Sequence, residues 1–132
     1  MITYSKFANS ITAAVVISLI GMAFHTVWEF GWGGLFDFGT GMLLMLVIEG
    51  GMALAWRFMP QQRRIMAGAL LVVSLLQLIG GAILSVLPLG FLPFVPEQSL
   101  SHYFTHLIYG AAQLPLIWLC IQYLQLPKTA DQ

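Results

Sequence analysis

A chain of 132 residues that is 59% hydrophobic, 8% charged and formally neutral, with a mean hydropathy of +0.88, lies far from the roughly 45–50% apolar usage of soluble domains. Such a composition belongs in a lipid bilayer, and the length suffices for one domain of a few spans but not for an added soluble enzyme domain. Neutrality without a basic tract argues against nucleic acid as a partner, and the lone Cys120 allows neither an internal disulfide nor a cysteine metal cluster.

A helix needs about 20 mostly apolar residues to cross a hydrocarbon core of ~30 Å, and the sparse charges mark where each crossing ends. The first span is expected at about residues 8–31, after Lys6, and the second at about 40–57, between Asp37 and the RFMPQQRR loop. The third should cover about residues 66–87, ending before Pro88, and the fourth about 101–125, ahead of the polar tail PKTADQ. Gly33, Gly34 and Pro60 fall in connecting turns, and Pro88, Pro93 and Pro96 fill the last loop. Pro115 lies within the fourth span and predicts a kink. The glycine-rich and small-residue stretches Gly50-Gly51, Gly80-Gly81 and Gly110-Ala111-Ala112 predict close helix contacts.

The expected fold is therefore all-α, an integral membrane four-helix bundle of up-down-up-down topology forming a single transmembrane domain over residues 1–132. Lys6, Arg57, Arg63, Arg64 and Lys128 then share one side, so the positive-inside rule makes both termini cytoplasmic. The opposite loops hold Asp37 and Glu97 without a cation, Trp28 and Trp32 are expected in the outer aromatic belt, and Trp56 in the inner one. A competing reading of the first span is a secretory signal, with Lys6, the run from Ile11 to Phe24, and Gly21 and Ala23 as the small residues of a cleavage site. Against it, the apolar run continues through Val27, Trp28 and Phe30; cleavage would leave three spans.

At 1.5 Å per residue, each polar position has a depth. His25 on the first span and His106 on the fourth both lie roughly 8–10 Å below the outer surface. His25 and Glu29 are spaced i, i+4, as are His102 and His106, so each pair occupies one helix face. The two antiparallel spans then offer matched rungs, at which three histidines and a carboxylate converge. Met45 on the second span reaches the level of His25 as a possible weak ligand, with Glu49 one turn deeper at about 15 Å. Gln77 and Gln113 supply polar groups near the midplane, and Gln113, seven residues after His106, shares its face. Ionisable groups within spans are costly and by default mark function.

Three classes of function suit this pattern. The first is a bound transition metal or b-type haem for redox or proton-coupled chemistry. In it His25, Glu29, His102 and His106 are the candidate metal ligands, His25 and His106 the candidate axial pair, and Glu49, Gln77 and Gln113 a proton relay or supporting layer. The second is a His/Glu acid–base or binding site for a lipid-soluble substrate such as a quinone, sterol or isoprenoid. His-x-x-x-Glu in a membrane helix bundle resembles the arrangement in the EXPERA family of sterol isomerases and related ligand-binding proteins. The resemblance covers His25 and Glu29, with Glu49, and no activity is carried over from it. The third class is an accessory or assembly subunit of a larger membrane complex, or a homo-oligomer enclosing a path. Transport by the single chain is disfavoured by the lack of an internal repeat or of paired broken helices.

Overall fold

Long apolar runs bounded by glycine and proline give four principal helices, seen in a computed structural model that describes residues 4–93 and 95–127, with side chains from Phe7 onward. They are α1 (Tyr4–Phe30), α2 (Met42–Phe58), α3 (Arg63–Leu76) and α4 (Leu100–Gln125). α3 continues through a wider-wound π-helical segment, Gln77–Ile83, and a final short turn, Leu84–Val86. No strand occurs among the described residues.

Three stretches are long and apolar enough to cross a membrane: Phe7–Phe30, Pro60–Val86 and Leu100–Gln125. α2 is shorter, at 17 residues. The four expected segments thus exist as helices, and three of them meet the length of a full crossing. The local signals act as their chemistry requires. Gly41 enters α2 with φ 76°, a left-handed conformation that glycine adopts without steric cost. Ser99 caps α4 by accepting a hydrogen bond from the His102 N–H at 3.2 Å. Arg64 donates to the carbonyls of Leu124 and Leu126, closing the far end of the same helix.

Side-chain pairs fix the neighbours. α1 meets α4 through Phe7 with Tyr123, Ser18 with Gln113, and His25 with His106. It meets α2 through Asn9 with Arg57 and Ser18 with Glu49. α3 and its π-helical extension meet α2 through Gln77 with Glu49, and α4 through Gln77 with Tyr109.

The interior is graded along the bundle. One end is apolar, built on Phe7, Ile11, Trp56, Leu70, Leu116 and Tyr123. The middle buries Ser18, Glu49, Gln77 and Gln113, and His106 is buried beyond them. Many large apolar side chains meanwhile face outward, including Ile20, Val47, Ile65, Leu76 and Leu107. Polar groups inside and hydrocarbon outside is the partition that a lipid solvent favours.

Two expectations are corrected. Trp56 does not lie in an interfacial belt: it is 0% exposed, packed edge-on against Tyr123 at 5.4 Å. Trp28 and Trp32 do face outward. Gly50, Gly51 and Gly80 make no close helix contact, since a Cβ on any of them meets open space. The tightest seam lies at the third expected stretch, where a Cβ on Gly21 would come within 2.3 Å of the Ala112 Cβ. Gly81 and Gly110 do lie in close contacts, against Tyr109 and against Ala82 with Leu78. Pro115 sits inside a continuous α4. Lys128 and the Lys6 side chain, both used in the orientation argument, lie outside the described residues, as does the rest of the tail after Pro127.

Candidate functional site

Helical spacing brings the histidines together. His25 Nε2 stands 2.9 Å from His106 Nε2, with ring centroids 4.3 Å apart. His106 and His102, one turn apart on α4, have centroids 4.4 Å apart. His102 Nδ1 in turn lies 3.2 Å from Glu29 Oε2, and Glu29 Oε1 accepts a hydrogen bond from Thr105 at 3.0 Å. All four ionisable residues singled out on α1 and α4 therefore form one contiguous cluster.

Within the cluster they divide. His106 Nδ1 lies 2.9 Å from the Gly81 carbonyl oxygen and 3.3 Å from Ser85 Oγ. A carbonyl only accepts, so Nδ1 carries the hydrogen and, in the neutral ring, Nε2 holds a lone pair. His25 Nε2 is then the donor between the two rings. The two Nε2 atoms thus face each other at hydrogen-bond distance.

The other half of the cluster gains a member. Glu97, from the segment leading into α4, brings a carboxylate oxygen within 4.8 Å of ligand atoms on Glu29 and His102, making a three-donor group able to hold a metal ion. The ring of His102 is buried at both nitrogens; Nδ1 faces Glu29 Oε2 at 3.2 Å, and Nε2 makes no hydrogen bond among the described residues. Met45 is placed differently. It lines a hollow between α2 and α3 together with Met22, Gln77 and Gly81, and no histidine borders that hollow.

Beneath the histidines runs a chain of hydrogen bonds. The Tyr109 hydroxyl donates to Gln77 Oε1 at 2.9 Å, and the Gln77 amide donates to Glu49 Oε1. Ser18 Oγ is 2.9 Å from both Glu49 Oε2 and Gln113 Oε1. One hydroxyl has one proton, so one of the two neighbours donates to Ser18: either Glu49 as a carboxylic acid, or Gln113 with its amide turned so that Nε2 faces the hydroxyl. Gln113 Nε2 has no hydrogen-bond partner among the described residues. The Tyr109 ring lies 5.5 Å from that of His25, so this layer abuts the histidine pair.

Ser18, Thr105, Tyr109 and Glu97 escaped the sequence reading. Three of them had a periodic signal: Ser18 is seven residues before His25, Tyr109 four before Gln113, and Thr105 four before Tyr109. Glu97 had none, since its position depends on the path of a proline-rich loop. No family model, curated protein or solved structure matches the chain.

Proposed function

We propose that this chain is an integral membrane bundle, up-down-up-down with both termini on the cytoplasmic side, whose outer histidine–glutamate cluster binds a divalent transition metal. The supporting observation is the convergence of Glu29, Glu97 and His102, from two helices and a loop, with ligand atoms within 4.8 Å of one another. One imidazole and two carboxylates suit zinc, manganese or iron, and three protein ligands leave a position open for water or substrate. The His25–His106 pair adjoins this group through the ring contact of His106 with His102, and supplies a base within the same cluster. Glu49, Gln77 and Gln113 form a hydrogen-bonded layer beneath the pair, joined to it through Tyr109.

The topology rests on the side-chain pairs, which run in opposite senses along successive helices, and on Arg57, Arg63 and Arg64 lying at one end. The test of function is elemental analysis of the detergent-purified full chain after zinc loading, beside His102→Ala and Glu97→Gln. Stoichiometric zinc in the wild type, with affinity at least about tenfold weaker in each variant, is expected. Wild-type protein that takes up no more zinc than His102→Ala would overturn the reading.

A further inference from the structure

Ser18 of α1, Glu49 of α2 and Gln113 of α4 meet in the middle of the bundle, each at most 1% exposed. Thr12 and Ser74 turn their hydroxyls back to the carbonyl four residues earlier, as hydroxyl side chains within helices commonly do. Ser18 instead points across to both other helices, 2.9 Å from Glu49 Oε2 and 2.9 Å from Gln113 Oε1. Its one proton can serve one neighbour, and the other must donate to it.

Two arrangements meet that condition. In the first, Glu49 is an acid that donates to Ser18, and Ser18 donates to the Gln113 carbonyl. In the second, Glu49 is a carboxylate that accepts from Ser18, and the Gln113 amide is turned so that Nε2 donates to Ser18. The mixed arrangements fail. A carboxylate with Gln113 unturned sets two acceptors against one proton, and an acid with Gln113 turned leaves the Ser18 proton without an acceptor. Protonation of Glu49 and orientation of Gln113 are therefore one variable.

Gln113 is the amide able to turn. Gln77 is held at both amide atoms, accepting from Tyr109 at 2.9 Å and donating to Glu49 Oε1. Gln113 is held at one, since its Nε2 has no hydrogen-bond partner among the described residues. Turning it exchanges one unpartnered atom for the other, so the Ser18 proton decides between the two orientations. The titratable side chains within electrostatic reach of Glu49 are Tyr109 and Cys120, both on α4 and both neutral at about pH 7. Among the described residues its hydrogen-bond partners, Ser18 and Gln77, are uncharged.

We propose that Glu49 is a proton-binding site whose occupancy sets the Gln113 amide: when the proton leaves, the Ser18 hydroxyl swings from Gln113 to Glu49 and the amide turns over. The carboxyl O–H bond breaks, its electron pair stays on the oxygen, and the proton passes to solvent. One proton thus switches a contact that joins α1, α2 and α4. The inference goes beyond the metal reading and uses none of Glu29, Glu97 or His102, so each can fail alone.

The test is solid-state NMR of the metal-free full chain in lipid bilayers, following the Glu49 carboxyl carbon and the Gln113 side-chain amide. Spectra are taken between about pH 4 and pH 10, a range that brackets documented buried carboxyls. The two signals are identified by their loss in Glu49→Gln and Gln113→Met. In wild type both should shift with one common midpoint. Ser18→Ala should leave the Glu49 titration in place and abolish the Gln113 response. Glu49→Gln keeps the donor pattern of the acid, so Gln113 should stay at its low-pH position throughout, which keeps the test decisive should Ser18→Ala not fold. A Glu49 carboxyl fixed in one protonation state across the range would overturn the proposal, as would a Gln113 amide that does not follow it. A Gln113 response surviving in Glu49→Gln would trace it to another group, and an amide turn at Gln77 in place of Gln113 would put the proton on the opposite oxygen; either result also overturns the proposal.

Discussion

Glu49 is 0% exposed and has two hydrogen-bond neighbours, the Gln77 amide at one oxygen and the Ser18 hydroxyl at the other. Glutamine in its place reproduces the same pattern: its carbonyl accepts from Gln77 and its amide donates to Ser18, which donates to Gln113. Glu49→Gln should therefore fold with stability within about 0.5 kcal/mol of wild type. Glu49→Leu should lose about 1–3 kcal/mol, because Gln77 and Ser18 are then left unsatisfied; reversible unfolding in mixed micelles checks both. A loss in Glu49→Gln as large as in Glu49→Leu would show that the network depends on a carboxylate charge. At this scale the sequence was most informative where helical spacing alone decides. The i, i+4 pairs His25/Glu29 and His102/His106 lie together because one turn of helix puts them there. Ser18, Thr105 and Tyr109 were silent because hydroxyl residues within spans are common and carry no costly charge to betray a role. The division of the four candidate ligands into a histidine pair and a His102–Glu29 group depends on ring orientation, which no spacing encodes.

Gly21 decides how closely α1 and α4 approach. A Cβ there would meet that of Ala112 at 2.3 Å, well inside any tolerable contact, so Gly21→Ala should push the helices apart and cost about 1–3 kcal/mol. Adding Ala112→Gly should restore most of that loss, since the two residues share one contact. Gly50→Ala, where the new methyl meets open space, should change stability by no more than about 0.5 kcal/mol. Loss of stability in the double variant equal to the sum of the single ones would place the strain elsewhere. The helices themselves were legible to within a few residues, because apolar runs end at glycine, proline or arginine. The π-helical segment was not, since it changes the hydrogen-bond register without altering the apolar pattern. Trp56 was misread for a related reason: its place at the arginine-bearing end of α2 suggests an interfacial anchor, but the ring turns inward onto Tyr123.

The molecule as a whole inverts the partition of a soluble protein, holding carboxyl, amide and imidazole groups within a shell of hydrocarbon. Its two ends are also unlike. Arg57, Arg63 and Arg64 cluster by the apolar half, near Asn9 and the end of α4, whereas the His102–Glu29 pair lies at the other end with Glu97. In a background with buried Cys120 replaced by serine, Phe38→Cys should react with an impermeant maleimide on intact cells. Gln61→Cys should react only after permeabilisation. The reverse pattern would invert the topology. Composition made the membrane environment legible, because no soluble core accounts for so much apolar surface; the route of the last loop, and with it Glu97, was beyond any periodic argument. α2 introduces a geometric demand of its own. Its 17 residues span about 26 Å, some 4 Å less than an average hydrocarbon core, while α1 and α3 with its π-helical extension are longer. In the proposed four-span topology the bilayer dimples along that flank or the bundle tilts, and lengthening the surrounding acyl chains should strain the seams that α2 shares with α1 and α3.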